Sequence, residues 1–396
     1  GVLAVNKTNT TDIVRLNGDL TCGQLTLTRG VLDADTNNAN ITAAGFVDSD
    51  GSGTNASFSG AGQTVTITGG NLSGQQFAAL AVTGSAMMTG TVTATGSTAF
   101  SGSGALTLGG NTLNAATITR TNDAGTGAFL IGNGSSAVTA GNVSIEGTAG
   151  TIDLSGIAFT LTGTGTNIWT DSGFTTGTWT APTSGSLTFS GGAPGISSSH
   201  ALYDIAVADG TTLMLTTALN CHNLAIGTTL ATAQVEANGD NQITVGGNVT
   251  GTGTFAASAL TSATVDINGN IGVAAYSAAA VTEVAGNWTV PAAGFTHNNR
   301  SVVFNGTGNL NSAGTSFYDI EFSDETTALA GFTAENDLTI NASGTLTASG
   351  AIAITVGGNW SKAAAGTFTA GSSTVSFDPG TNLAYGQTHT ITGDTT

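Results

Sequence analysis

The sequence predicts an all-β fold, and within that class an elongated parallel β-solenoid (β-helix), from three observations. Short segments alternate β-branched or apolar residues with Thr or Ser, which is the period of a half-buried strand. Glycine, with 59 of the 396 residues, separates these segments throughout. Motifs also recur along the chain, and internal repetition indicates stacked units rather than one closed globule.

Residues 1–165 form the first predicted segment, a Gly/Thr-rich part of the solenoid. Its predicted strands lie at 25–28, 64–68, 91–94, 105–108, 117–119, 143–145 and 159–162. Gly-Gly, Gly-Asn and Gly-Ser pairs between them supply the left-handed conformations that tight corners need. Only 75–86 approaches a helical pattern, and its flanking glycines limit it to a short helix.

Residues 166–396 form the second predicted segment, which has an aromatic repeat and continues the first as one rod. Gly-Asn-Trp occurs at 286–288 and 358–360. Phe-Tyr-Asp-Ile occurs at 317–320, with the variant Leu-Tyr-Asp-Ile at 202–205. Recurring strand and corner sequences of this kind are typical of solenoid coils.

Gly-Asn pairs mark the predicted corners of the coils. They begin at Gly70, Gly110, Gly141, Gly247, Gly269, Gly286 and Gly358. Asparagines at equivalent corners can hydrogen-bond along a column, as they do in stacked β structures. This favours the solenoid over the alternative, tandem β-sandwich modules, which the spacing of roughly a hundred residues between Tyr203 and Tyr318 leaves open.

The two ends of the chain have similar sequences. Residues 2–11 resemble 319–327, and so do residues 389–396. Because open solenoid ends need capping or pairing, we expect head-to-tail self-association or continuation into a longer array. The chain is then either a mature secreted product or a piece of something longer.

The charge balance argues against several classes of partner. Six Lys and Arg stand against 24 Asp and Glu, for a net charge of -18. Nucleic-acid binding needs a basic surface, so no nucleic-acid partner is expected. No segment is long and apolar enough to span a bilayer, so no membrane insertion is expected either.

The cysteines and histidines suggest no reactive site. Cys22 and Cys221 are too few for a disulfide framework or a zinc site. Neighbouring strand residues point to opposite faces, so Cys221 and His222 are predicted to be a buried thiol beside an exposed imidazole. His200, His297 and His389 stand alone in the sequence and are predicted to face solvent.

One stretch has the composition of a calcium loop. In residues 48–53, Asp48, Asp50 and Ser52 offer alternating oxygen ligands before a glycine turn. An EF-hand would need Glu at the twelfth position, where Ser59 stands. Calcium is the one candidate cofactor, the alternative is an ordinary polar turn, and no other cofactor is expected.

Carboxylates offer the main route to an enzymatic interpretation. Glycoside hydrolysis needs two of them about 5–9 Å apart. Asp204, Asp209, Asp319 and Asp324 are candidates by proximity in sequence, but they occupy repeated positions, and a catalytic site is not expected to repeat. We therefore predict that the protein is not an enzyme.

Threonines and tryptophans could form binding surfaces. Thr-x-Thr runs at 64–68, 91–95 and 160–164 suggest a flat ice-binding face, although β propensity alone explains them and their uneven spacing does not assure aligned ranks. Trp179, Trp288 and Trp360 suggest platforms for sugar rings. An aromatic residue at a repeated position more often belongs to the core.

Gly-Asn-Trp, the segment Gly366–Gly380 and Phe-Tyr-Asp-Ile together resemble the β-strand repeats of very large bacterial surface and autotransporter-like adhesin proteins. The resemblance covers about the C-terminal half. It implies an extracellular or cell-surface location and a structural or adhesive role, with no catalytic residues. We expect a secreted surface stalk, adhesin shaft or filament subunit, with surface glycans as a candidate partner. The alternative is a phage tail-fibre-like or carbohydrate-binding or -cleaving β-helix.

Overall fold

The computed structural model describes residues 1–48, 56–59, 62–73, 76–121, 129–378 and 390–392. The chain divides into two compact units, Gly1–Tyr203 (unit 1) and Asp204–Thr396 (unit 2). Both units are built from strands, and one short 3-10 turn, Ala292–Gly294, interrupts unit 2.

The strands of unit 1 vary from two to fourteen residues, and the longest of them bend around corners of the coil. They are β1 (Leu3–Asn6), β2 (Ile13–Arg15), β3 (Leu20–Asp33), β4 (Ile41–Asp48), β5 (Ala56–Ser59), β6 (Thr64–Ile67), β7 (Gly70–Ser73), β8 (Gln76–Phe77), β9 (Ala79–Val82), β10 (Ser85–Met88), β11 (Val92–Phe100), β12 (Ala105–Thr107), β13 (Thr112–Arg120), β14 (Phe129–Ile131), β15 (Ser136–Gly147), β16 (Thr151–Asp153), β17 (Ile157–Leu161), β18 (Trp169–Phe174), β19 (Thr178–Thr180), β20 (Gly185–Phe189) and β21 (Gly195–Ser197).

The strands of unit 2 are shorter and more uniform. They are β22 (Asp204–Val207), β23 (Thr212–Leu215), β24 (Leu219–Cys221), β25 (Leu224–Ile226), β26 (Gln234–Ala237), β27 (Ile243–Val245), β28 (Val249–Thr250), β29 (Thr254–Ala256), β30 (Thr264–Ile267), β31 (Ile271–Gly272), β32 (Ala275–Ser277), β33 (Val281–Val284), β34 (Phe295–Thr296), β35 (Ser301–Phe304), β36 (Gly308–Leu310), β37 (Thr315–Phe317), β38 (Asp319–Phe322), β39 (Glu325–Ala328), β40 (Phe332–Ala334), β41 (Leu338–Ile340), β42 (Thr345–Ala348), β43 (Ala353–Val356), β44 (Trp360–Lys362), β45 (Thr367–Thr369), β46 (Thr374–Phe377) and β47 (Ile391–Thr392).

Strand pairing identifies each unit as a parallel β-solenoid. In unit 1, β13 pairs in parallel with β11 one coil before it and with β15 one coil after it. In unit 2, β33 pairs in the same way with β30 and β35. Sandwich modules are built from antiparallel sheets. The solenoid prediction is therefore confirmed, and the sandwich alternative is wrong.

Each coil of unit 2 has three sides. Side 1 is one sheet of nine strands, in the order β24-β27-β30-β33-β35-β38-β41-β44-β47. Side 2 contains β22, β25, β28 and β31, then β36, β39, β42 and β45. Side 3 contains β23, β26, β29, β32 and β34, then β37, β40, β43 and β46.

Alternate residues of each strand point into the coil and stack to form the core. On side 1, Val265, Thr282 and Val302 lie in register one coil apart, and all three are buried. Thr282 is the polar member of this column, and its hydroxyl lies 2.7 Å from the hydroxyl of buried Tyr276. Because a buried hydroxyl without a partner costs about 1–3 kcal/mol, the two polar groups stabilise each other.

Asparagines form a column at the corner between sides 1 and 2. The side-chain oxygen of each accepts the backbone N–H of the asparagine one coil on, at 2.7 to 2.9 Å. Successive members lie between 17 and 25 residues apart. The members of this asparagine column are Asn223, Asn248, Asn270, Asn287 and Asn309. The predicted stacking of Gly-Asn corners is therefore confirmed for the pairs that begin at Gly247, Gly269 and Gly286.

The glycine of each Gly-Asn pair is needed because the column packs backbone against backbone. A Cβ atom on Gly269 would lie 2.5 Å from the carbonyl oxygen of Gly247, one coil earlier. A Cβ atom on Gly308 would lie 2.1 Å from the carbonyl oxygen of Gly286. Neither oxygen belongs to a side chain that can rotate away, so any larger residue would separate the coils.

The two Asp-Ile motifs begin two different columns. Asp204 accepts a hydrogen bond from the Asn223 side chain and so begins the asparagine column. Asp319 accepts the backbone N–H of Asp337, and Asp337 accepts that of Asn359, at the corner between sides 3 and 1. Sequence copies that look equivalent therefore occupy different corners of the coil.

We predict that Asn270→Ala lowers the free energy of unfolding of unit 2 by about 1–3 kcal/mol, because the Asn287 N–H loses its acceptor in a half-buried site. Gly269→Ala should lower the free energy of unfolding further, because its Cβ atom would clash with the backbone carbonyl oxygen of Gly247. Exposed Asn268→Ala is the matched control. Urea unfolding followed by circular dichroism measures all three. Equal midpoints for Asn270→Ala and Asn268→Ala would show that the column contributes no stability.

Candidate functional site

A buried carboxylate is the centre of a polar cluster in unit 1. Asp171, on β18, is 0% exposed. It accepts hydrogen bonds from the Trp169 indole at 2.9 Å, the Ser198 hydroxyl at 2.6 Å and the Ser199 backbone N–H at 2.8 Å. Nδ1 of His200 lies 3.1 Å from Oδ1 of Asp171, the oxygen that also accepts the Ser199 N–H. We call these five residues the Asp171 cluster.

Strand register brings the Asp171 cluster together. β18 and β21 are neighbours, with Trp169 opposite Ile196 and Thr170 opposite Ser197. The residues that follow β21 therefore lie beside Asp171 of the coil before. The His200 ring also stacks on Trp179, with centroids 4.4 Å apart and planes at 18°. His200 is only 20% exposed, so the prediction that it faces solvent is wrong.

The geometry of the Asp171 cluster differs from that of a serine–histidine–aspartate triad. A triad needs the carboxylate at Nδ1 and the serine hydroxyl at Nε2 of the same imidazole. Here the Ser199 hydroxyl, at 3.2 Å, and Asp171, at 3.1 Å, both approach Nδ1 of His200. With both groups at Nδ1, the histidine cannot act at Nε2 as the general base for this serine, so the arrangement orients the ring and joins two coils.

The histidines of unit 2 also pair with carboxylates. His222 is 47% exposed, and its Nδ1 lies 2.9 Å from Asp204. Nε2 of His297 lies 3.3 Å from Glu335, and the ring is only 20% exposed. The prediction of a solvent-facing His297 is therefore wrong, and His389 lies outside the described residues.

Cys221 points away from His222, as the strand alternation predicts. The cysteine is 2% exposed, and burial raises the pKa of its thiol to about 12. A thiol with this pKa is protonated at neutral pH and is a poor nucleophile. The predicted buried thiol beside an exposed imidazole is confirmed. Cys22, the other free cysteine, is half-buried.

The four aspartates considered for glycoside hydrolysis hold turns and corners. Asp204 and Asp319 begin the two corner columns. Asp209 accepts hydrogen bonds from the Thr229 hydroxyl and the Thr228 backbone N–H, which lower its pKa. Asp324 accepts the N–H of Glu325 at 2.8 Å. A general acid for this reaction needs a raised pKa, so Asp209 is shifted in the wrong direction.

Sequence reasoning missed an acidic column on the outer face of side 1. Asp266 and Glu283 lie directly opposite each other, and Glu321 follows beyond Val303. Burial raises the pKa of Glu283, and the charges of Asp266 and Glu321 raise it further. Successive members lie 17 and 38 positions apart in sequence, so only the register of the coils reveals the column.

The calcium candidates are only partly described. Asp48 is the last residue of β4 and is buried, whereas Asp50 and Ser52 lie outside the described residues. Over the ranges that the structure describes, no three His, Cys, Asp or Glu residues are grouped so that they could hold a metal ion. Calcium binding at this stretch stays a prediction.

The three tryptophans considered as platforms for sugar rings differ in their burial. Trp288 and Trp360 are buried in the core of unit 2, which rules out sugar stacking on either. Trp179 is half-buried at the surface of unit 1, and its indole N–H donates to the carbonyl of Ala201 at 3.0 Å. It is the one of the three that offers any aromatic surface to a ligand.

The threonine runs are aligned better than their spacing in the sequence suggests. Thr93 and Thr160, from two of the runs, lie in one outward column of unit 1, with Asn114 and Thr139 between them. Thr66 lies in a different column. The spacing in the sequence left the alignment of the runs open, and the structure places one threonine from each of two runs in a shared column. Ice binding stays a prediction.

We predict that Glu283→Gln stabilises unit 2 by about 0.2–1 kcal/mol at pH 7, because it removes a like charge facing Asp266. A raised carboxyl pKa means that the folded state binds the proton more tightly. The loss of stability caused by the ionised Glu283 is therefore fully present at pH values above its raised pKa. It disappears as the pH falls below the ordinary pKa of 4.5.

The gain from Glu283→Gln should accordingly vanish near pH 4, which thermal melts at several pH values can measure. Glu236→Gln, an exposed change on side 3, is the matched control. A gain that persists unchanged at low pH would contradict the electrostatic explanation.

Comparison with known proteins adds no assignment. No family model matches the chain, and neither a curated protein nor a solved structure matches it. In the described part of the chain, no helix has the length and apolar character to cross a membrane.

Proposed function

We propose that the protein is a secreted, non-enzymatic structural element, whose solenoid units form the shaft of a surface stalk or adhesin or the subunit of an extracellular filament. The asparagine column is the observation that supports this most strongly. It uses corner side chains, which could otherwise bind a ligand, to join five successive coils to one another. Such a unit gains stiffness without a cofactor.

The basic side chains support the same proposal because they bind the chain's own backbone. The Arg120 guanidinium is buried and donates to the carbonyls of Glu146 and Ala149. Lys362 is buried and donates to the carbonyl of Gly366 at 3.0 Å. A buried cation costs much free energy unless it is hydrogen-bonded, so these contacts stabilise the coils. They leave few cations for an acidic ligand.

A load applied along such a unit acts on many bonds at once. Each coil is joined to the next by parallel ladders, and the corner columns add hydrogen bonds between side chain and backbone. Separating two coils therefore requires breaking the ladders and the corner hydrogen bonds at the same time. It also disrupts the close packing of the inward side chains. Resistance to separation is the property that a shaft needs.

Carbohydrate binding is the second candidate, and one observation favours it. Trp179 lies at the surface of unit 1. Close to it in the fold is a small apolar recess lined in part by Pro182, Leu202 and Tyr203. Aromatic faces beside a shallow apolar recess can stack against sugar rings.

We expect electron micrographs of the purified chain to show filaments formed by its self-association, and a glycan array to show no specific binding. Trp179→Ala should leave both results unchanged. Single particles that bind a defined glycan, with binding lost in Trp179→Ala, would contradict the structural proposal and support the carbohydrate-binding alternative. Phe322→Leu, a core change in unit 2, is a control for general destabilisation.

A further inference from the structure

Five asparagines of the chain are followed directly by glycine, and an asparagine in this order is the one whose side chain is most readily modified without an enzyme. The backbone nitrogen of the glycine attacks the side-chain carbonyl carbon of the asparagine. Glycine favours this attack because it has no Cβ atom in the way and permits more backbone conformations. The five are Asn17, Asn133, Asn238, Asn268 and Asn305.

Hydrogen bonds restrain two of the five asparagines. The attack needs a side chain that can turn toward the glycine and a glycine N–H that is free to react. Asn133 meets neither condition, because its Oδ1 accepts the Ser136 hydroxyl at 3.1 Å and the N–H of Gly134 donates to a backbone carbonyl at 2.9 Å. Asn305 is held in part, since its amide donates to Oε2 of Glu283 at 3.3 Å.

Asn268 meets both conditions. Its side chain is exposed. Neither this side chain nor the N–H of Gly269 makes a hydrogen bond to the part of the chain that the structure describes. The backbone N–H of Asn268 donates to the carbonyl of Val245 at 2.9 Å, so the backbone is anchored to the coil before while the side chain can turn.

The position of Asn268 gives its modification a structural consequence. The two residues that follow it contact both neighbouring coils. The N–H of Asn270 donates to Oδ1 of Asn248 at 2.9 Å, which is one step of the asparagine column. The carbonyl of Gly269 accepts the N–H of Gly286, one coil later, also at 2.9 Å. A change in the length of the backbone at Asn268 therefore acts directly on the contacts between coils.

We propose that Asn268 is a site of spontaneous covalent modification, at which isoaspartate forms and loosens the asparagine column. The Gly269 nitrogen attacks the side-chain carbonyl carbon of Asn268 and gives up its proton, and ammonia leaves, which closes a cyclic succinimide. Water then opens the ring at one of its two carbonyls and yields aspartate or isoaspartate. The inference goes beyond the proposed function, because it concerns the chemical lifetime of unit 2 whatever its role.

Isoaspartate at this position changes both the backbone and the charge. The chain then continues through the side-chain carbons, so the backbone before Gly269 gains one carbon atom. The close packing of Gly269 on the backbone of Gly247 leaves no room for this displacement. The former backbone carbonyl becomes a carboxylate, two residues after Asp266, which already faces Glu283. Like charges that face each other across strands are destabilising.

Peptide mass spectrometry of the folded full chain tests the modification. The chain is incubated at mildly alkaline pH and then digested with pepsin in acid, which stops the reaction. We expect conversion at Asn268 to be about tenfold faster than at Asn133, because Gly134 must first lose its hydrogen bond. Asn270, which isoleucine follows, should stay unmodified.

The same incubation in urea is the control for the effect of the fold, since unfolded Asn133 and Asn268 should convert at similar rates. Equal rates at these two residues in the folded chain would overturn the proposal. So would the absence of conversion at Asn268 in the folded chain while it proceeds in urea.

Urea unfolding before and after the incubation tests whether the modification loosens unit 2. The midpoint of the wild-type chain should fall as isoaspartate accumulates. Asn268→Ala keeps the other four asparagine–glycine pairs, and its midpoint should not change. Asn268→Asp carries the new charge without the extra carbon and should lower the midpoint less than isoaspartate does. An unchanged midpoint in a wild-type sample with modified Asn268, or an equal fall in Asn268→Ala, would overturn the proposal.

Discussion

The hydrogen bond from the backbone N–H of one corner asparagine to the side-chain oxygen of the asparagine one coil earlier is the interaction on which unit 2 depends. It fixes the distance between coils at the corner. The glycines immediately before the later asparagines of the column, Gly247, Gly269, Gly286 and Gly308, let backbone pack on backbone. With the corner fixed, the inward residues of successive strands fall into register and stack as a core. The column thus couples a two-residue motif to the packing of the coils that contain Asn223 to Asn309.

The need to join successive coils also accounts for the placement of the charged and polar side chains. His200, Asp204 and Lys362 have the chemistry of reactive or ligand-binding residues, yet each contacts a backbone or side-chain group of its own unit. Buried polar groups are tolerated only when they are hydrogen-bonded. A solenoid meets this condition by pairing groups on adjacent coils, and this use of the side chains favours a structural role.

The sequence alone predicts the solenoid, because Gly-Asn corners and alternating strands are local features that need no knowledge of distant contacts. It does not predict the partners of His200 or Glu283. Those partners lie one or two coils away, and the 17 to 25 residues between successive column asparagines vary too much for the register to be counted along the chain. The two Gly-Asn-Trp copies show the limit most clearly, since Trp288 lies on side 2 and Trp360 on side 1. The motif specifies a corner, but not which corner. Asp50 and Ser52, the calcium candidates outside the described residues, stay predictions from sequence.

Hydrogen exchange of the wild-type chain, followed by mass spectrometry, tests the central claim most directly. Corner amides in loops normally exchange quickly, because loop backbone is exposed to solvent. If side-chain oxygens hold the corners, peptides covering Asn248, Asn270 and Asn287 should be protected as strongly as those covering β27, β30 and β33. Exchange at these corners as fast as in exposed loops, with the neighbouring strands still protected, would show that the strands alone hold the coils together.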